Sequence, residues 1–112
     1  MEEGIPRKEV KISGKFYEST DKIYDFSYET FGYFQAERYR QKIRNYLLTL
    51  PELYLSYPPC RHIPTKSRIY RIIILGAHLI IYRITRERIE VLDIIHGAMS
   101  ISKIRDVRKI RL

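Results

Sequence analysis

The fold is decided by "HLIIYRITRERIEVLDIIHG", residues 78–97. Two apolar arms, His78–Ile84 and Ile89–His96, flank the polar turn Thr85–Arg88, and the second arm ends on a histidine and a glycine. Short runs rich in isoleucine and tyrosine on either side of a four-residue turn predict paired strands. One run upstream, Ile69–Leu75, has the same character, and Gly76-Ala77 supplies a tight turn, so residues 69–96 read as a three-stranded antiparallel meander. With the turns setting the register, Arg83 stands opposite Glu90, and Arg71 stands beside Tyr82 with Asp93 two strands away on the same face.

Both faces of this meander are apolar. Tyr70, Ile72, Ile74, Leu79, Ile81, Leu92 and Ile94 fall on one, and Ile69, Ile73, Leu75, Ile80, Tyr82, Val91 and Ile95 on the other. A helical layer for one face lies upstream. Tyr17, Thr20, Tyr24, Ser27, Tyr28 and Phe31 recur at spacings of three and four up to Gly32, which predicts a first helix with an aromatic inner stripe. Ala36, Tyr39, Ile43, Tyr46, Leu47 and Leu50 predict a second, ended by Pro51. Before them, Val10, Ile12, Gly14 and Phe16 alternate as a strand does between Lys8 and Phe16, after a polar start at residues 1–7. Four prolines between Pro51 and Pro64 make that stretch a surface loop. In the last stretch, Ser100–Leu112, Ile101, Ile104, Val107 and Ile110 are spaced by three beside Lys103, Arg105, Arg108, Lys109 and Arg111, a short basic amphipathic helix. The plan is α+β: a helical hairpin on an antiparallel sheet in the order β-α-α-β-β-β, read as one domain over 1–112 with a core at 8–97 and a basic tail at 100–112. Two helices cover one face, so a partner is expected on the other, since large exposed apolar patches are unusual on monomers.

At 112 residues and 45% hydrophobic content, with 10 tyrosines, the chain can bury a core, which excludes intrinsic disorder. The single cysteine excludes an intrachain disulfide framework, and no leader pattern opens the chain, so a cytoplasmic location is expected. The apolar runs fall well short of the ~20 residues that span a bilayer, and no membrane association is expected. Cys60 and His62 have the spacing of half a metal site, but no second pair completes it; neither metal nor cofactor is expected. Net charge is +8, and its placement is informative: residues 1–60 carry nine Lys+Arg against nine Asp+Glu, and residues 61–112 carry twelve against four. The basic half suits nucleic acid, a nucleoprotein machine or an acidic protein segment, against the plainer reading of a solvated basic surface.

Three stretches, "QAERYRQKIRNYLLTLPEL", "HLIIYRI" and "IEVLDIIHG", resemble the RelE/ParE superfamily of bacterial toxins from type II toxin-antitoxin pairs, over roughly residues 10–97. The resemblance implies a plasmid-stabilisation type of toxin, neutralised by a cognate antitoxin segment that folds as it binds. The meander face bearing Tyr70, Ile72, Ile74, Leu79, Ile81 and Leu92 is the expected antitoxin site. It also implies contact with DNA only through the antitoxin complex.

The superfamily divides into RelE-like nucleases that cut messenger RNA on the ribosome and ParE-like toxins that poison DNA gyrase without cutting. RNA cleavage needs a base, an acid and fixed cations around one phosphate. Where RelE-like enzymes place an arginine three residues before the middle-strand tyrosine, this chain has Leu79, and Gly97 is followed by Ala98, Met99, Ser100 and Ile101. His96, Arg71 and Arg83 remain as the groups a nuclease would use, each with a structural alternative. For His96 the alternative is a strand-terminal residue that positions the turn and touches a partner; ParE-like members carry the same ending. The expectation is thus a ParE-like binding toxin, not an enzyme, with His96, Lys103, Arg105 and Arg108 toward gyrase or nucleic acid. A ribosome-dependent endoribonuclease is the alternative, and a basic DNA-binding accessory domain is the third reading.

Overall fold

A computed structural model describes residues 4–112; the first three residues of the polar start lie outside them. The elements are β1 (Glu9–Ile12), α1 (Gly14–Phe31), α2 (Tyr33–Leu53), β2 (Tyr70–Leu75), β3 (His78–Ile84), β4 (Arg88–His96) and α3 (Ile101–Asp106), with a 3-10 turn at Val107–Lys109. The strand order is β1-β4-β3-β2. The meander is antiparallel, while β1 lies parallel to β4, from Glu9 beside Arg88 to Ile12 beside Val91, so the sheet is mixed. A parallel neighbour requires a long crossover. Here the hairpin and the first two meander strands together provide it.

Strand β1 is shorter than its alternation suggests because Ser13 ends it. Its Oγ accepts from the Phe16 amide (2.9 Å) and caps α1, which draws Gly14 and Phe16 into the helix. Helix α1 therefore turns a different side to the sheet. Phe16 and Ser27 are buried and Ile23 half-buried, whereas Tyr17, Tyr28 and Phe31 of the expected inner stripe lie outside, each at least half exposed. Gly32, with φ +93° and ψ 176°, closes α1 through its amide to the Tyr28 carbonyl (2.9 Å) and opens α2 by accepting from Ala36 (3.1 Å). Few residues other than glycine tolerate that backbone. The α2 stripe lies as expected: Ala36, Ile43 and Leu50 are buried, and Tyr39, Tyr46 and Leu47 are half-buried. Pro51 does not end the helix. It sits in the last turn, and its carbonyl, one of the last four that have no partner within the helix, accepts from Lys8 (3.1 Å).

The hairpin covers one sheet face, where Phe16, Ile43, Leu50, Ile73, Leu75, Ile80, Tyr82, Ile89, Val91 and Ile94 form the larger core. On the other face Ile81, Leu92 and Ile95 pack with Cys60, Ile63, Ile104 and Val107, flanked by Tyr70, Ile72, Leu79, Met99 and Ile110. The expected partner on this face is thus supplied by the chain itself: the basic C-terminal segment is a packed lid. Ile94 and Ile95 have exchanged the faces that strict alternation assigns them. The register shifts between Ile81, opposite Asp93, and Tyr82, opposite Val91, so Leu92 is an extra residue in β4. Ser13 anchors this bulge, donating its amide to the Val91 carbonyl (3.0 Å) and its hydroxyl to that of Leu92 (2.6 Å).

The proline loop also has a structural task. Ile72 donates to the Pro58 carbonyl (3.0 Å), and Cys60 donates to that of Tyr70 (2.7 Å), covering the outer edge of β2. An open edge invites pairing with other chains.

Candidate functional site

The histidine that ends β4 stands in a cleft of about 580 Å³ between the hairpin tip and the β2–β3 turn. Its walls include Lys22, Phe26, Phe31, Gln35, Tyr39, Ala77, His78 and His96. The pairing of β3 with β4 sets His78 directly beside His96. Their rings meet edge to face with centroids 5.7 Å apart. Tyr39 donates its hydroxyl proton to the Leu75 carbonyl (2.9 Å), leaving the oxygen to accept from Nδ1–H of His78 (2.7 Å). Burial, and then the neighbouring His96, hold the pKa of His78 below the usual imidazole value, so it stays neutral near pH 7. His96 uses Nδ1 to accept from the Ala98 amide (3.0 Å), fixing the turn beyond the strand. Its ring is exposed at the cleft mouth.

The other two groups that a nuclease would need lie elsewhere. Arg71 pairs across to Tyr82, four residues from His78 along β3, or about 13 Å at strand spacing. Its guanidinium clamps the carbonyls of Tyr57 (2.8 Å) and Arg68 (3.1 Å) in the proline loop. The expected balance between Arg71 and Asp93 does not form. The bulge turns Asp93 toward α1, where its Oδ1 accepts from Ser19 (2.6 Å) and Ile94 (2.8 Å), and burial raises its pKa. Arg83 points to the opposite sheet face. There it pairs with Glu90 (2.8 Å), as the register requires, and reaches Tyr70 Oη (3.3 Å) and the carbonyls of Arg108 (3.2 Å) and Ile110 (3.3 Å). Burial opposes charge on Glu90, but Arg83 and Arg88 outweigh it and keep the carboxyl below its ordinary range. His96, Arg71 and Arg83 do not share a site.

Lys103, Arg105 and Arg108 lie exposed on α3 and its 3-10 extension, below the second face, while His96 opens toward the hairpin. Of the residues expected to meet an antitoxin, Ile81 and Leu92 are fully enclosed, Tyr70, Ile72 and Leu79 are half-buried under the C-terminal segment, and only Ile74 is exposed. Cys60 is buried in that same core, and no group of three metal-ligating side chains occurs among the described residues. None of the helices there is long and apolar enough to cross a membrane.

The surface that sequence reasoning missed is on the hairpin. Phe26, Phe31, Tyr33 and Phe34 crowd its tip at 66%, 64%, 54% and 79% exposure, with Tyr28 exposed among them and Tyr17 and Leu48 exposed further along. A groove of about 770 Å³ separates α1 from α2, lined by Ile12, Phe16, Tyr17, Ile23, Tyr24, Arg40, Ile43, Arg44 and Leu48. The signal was present: Phe26 and Phe34 fit neither inner stripe, and large rings off the stripe have no place in the core.

Residues 10–101 match the profile of the ParE toxin of type II toxin-antitoxin system, parDE. The chain belongs to the ParE toxin family. A solved structure of the chromosomal ParDE TA system from P. aeruginosa has the ParE fold seen here, with a TM-score of 0.66 over 82% of this chain and 98% of that one; at 19% identity the likeness is one of fold. Among the curated proteins the chain finds no match. The family match runs from the second residue of β1 to the first residue of α3, so it takes in the hairpin, the meander and the His-Gly ending of this ParE-family chain.

Proposed function

We propose that this chain is a cytoplasmic ParE-like toxin that a cognate antitoxin neutralises by direct binding, and that it arrests growth by binding DNA gyrase or a related topoisomerase without cutting nucleic acid. The observation that carries this reading is the exposed aromatic tip of the hairpin beside two apolar grooves. Rings with few side-chain degrees of freedom, clustered at a concave surface, are what strong protein interfaces are built around. An apolar antitoxin segment laid along α1 and α2 would bury Phe26, Phe31 and Phe34 and close the cleft over His78 and His96. Family membership supports the toxin assignment. The separate engagements of Arg71 and Arg83 support binding over RNA cleavage.

The test is induced expression with and without the antitoxin. Growth arrest with relaxed plasmids, intact ribosome-bound transcripts by primer extension, and rescue by the antitoxin are expected. The double variant Phe26→Ala/Phe34→Ala should bind antitoxin at least tenfold more weakly with its melting temperature unchanged, since both side chains are largely solvated. Transcripts cut at defined codons would overturn the reading.

A further inference from the structure

The C-terminal segment does more than cover the sheet. Burial of Ile104 and Val107 fixes one side of α3 and its extension, and the Arg83 guanidinium holds the carbonyls of Arg108 and Ile110. The side turned to solvent therefore has a set orientation. It carries Lys103, Arg105, Arg108, Lys109 and Arg111, all exposed, and Arg105 donates to the His62 carbonyl (3.3 Å), which brings exposed Arg61 alongside. The single acidic residue of the segment, Asp106, is engaged by Lys109 at 3.2 Å. No ion pair forms at Lys103, Arg105 or Arg108 among the described residues.

The chemistry of this surface differs from that of a protein interface. Residues 97–112 contain no aromatic ring, and the apolar side chains near the middle of the segment are turned inward. A protein partner would find no aromatic anchor there, and the exposed apolar side chains, Ile101 and Leu112, stand apart near the two ends of the segment. A single strand of nucleic acid would find no ring to stack on. What is present is a row of unpaired cations on a fixed support, which suits the regular phosphates of a duplex. We propose that this surface binds the backbone of duplex DNA directly, without sequence preference, so that the toxin itself contacts DNA and does not depend on an antitoxin to do so. The choice of DNA among duplexes rests on the topoisomerase reading, so the binding titration leaves the topoisomerase out and inhibition is read separately.

The experiment follows fluorescence anisotropy of a labelled 20-base-pair DNA duplex titrated with the purified chain at several salt concentrations. The triple variant Lys103→Gln/Arg105→Gln/Arg108→Gln is expected to lose at least tenfold in affinity at low salt, with a log–log salt dependence shallower by about 2 to 3, near 0.9 per phosphate contact removed. Removing the same charge elsewhere, with Lys11→Gln/Arg38→Gln/Lys42→Gln, should leave both quantities near wild type. Arg105→Lys/Arg108→Lys should retain binding. Equal losses in the two triple variants would overturn the proposal, as would duplex RNA, single-stranded RNA or a polyglutamate peptide bound as tightly as DNA. A wild-type chain that inhibits the topoisomerase but does not bind the duplex would sink this surface and leave the toxin reading standing. Intact duplex binding with no inhibition would do the reverse.

Discussion

The two faces of the sheet are similarly apolar in sequence, yet they are covered in different ways. The first lies under two long helices of 18 and 21 residues joined by Gly32. The second lies under six residues of α3, a three-residue 3-10 turn and part of a loop. A long hairpin has surface left over after it has covered the sheet, and in this chain that surplus is aromatic. The short segment has none: its inner side is used in packing and its outer side is cationic. On the two proposals made above, proteins would meet the first surface and polyanions the second, and that division would follow from how much helix each face received.

The largest effects should show whether the thin cover is a true core. Ile80→Ala on the hairpin face and Ile81→Ala beneath α3 each remove a fully buried side chain, and each should cost about 2 to 5 kcal/mol in denaturant unfolding. A loss below about 1 kcal/mol for Ile81→Ala alone would mean that the segment is a loosely docked tail and would break the comparison. Next comes its fastening. Arg83→Met leaves Glu90 with Arg88 alone and strips two carbonyls of their donor, for an expected loss of about 2 to 4 kcal/mol. Amides 104–110 should then exchange faster than those of α2, and uniform exchange would place the fastening elsewhere. On the hairpin side, Gly32→Ala forces an alanine to φ +93°, at a cost of about 1 to 3 kcal/mol. A smaller loss would show that the two helices can splay and reset the joint.

The first face was largely legible in the sequence because long periodic segments announce themselves. The α2 stripe, the meander turns and the Arg83–Glu90 pairing all follow from spacing. The α1 stripe did not, since its tyrosines and phenylalanines recur at helical spacing on a side that faces solvent, and periodicity alone does not say which of two apolar sides is the inner one. The second face was half legible. Ile104 and Val107 marked an amphipathic helix, but nothing local says that it folds back under β3 and β4. The bulge at Leu92 left no glycine or proline to betray it; its one trace was Asp93, a carboxylate within an otherwise apolar run. The candidate cleft, whose role is a proposal, divides in the same way. His96 could be found from its place at a strand end, whereas Tyr39 and His78 come together only through the pairing of distant elements.

The smallest effects concern protons, and they should have opposite signs in the two places where the hairpin meets the sheet. His78 has its pKa lowered, by burial first and by His96 second. As pH falls below about 6.5 the unfolded chain takes up the proton before the folded one does, so this group subtracts stability until pH passes its folded pKa. Asp93 has its pKa raised by burial, against the lowering effects of Ser19, the Ile94 amide and Lys15. The folded chain then takes the proton first, and this group adds stability as pH falls through its folded pKa, with the gain complete below about 3.9. Asp93→Asn retains an oxygen that can accept from both Ser19 and Ile94 while discarding the buried charge. It should melt at or slightly above the wild-type temperature at pH 8, and its advantage should shrink on acidification as wild-type Asp93 becomes neutral. His78→Gln should instead close its gap with wild type on the way from pH 7.5 to 5. If Asp93→Asn is clearly less stable than wild type at pH 8, the carboxylate is held by Lys15 more strongly than burial opposes it, and the bulge is an electrostatic joint rather than a packed one.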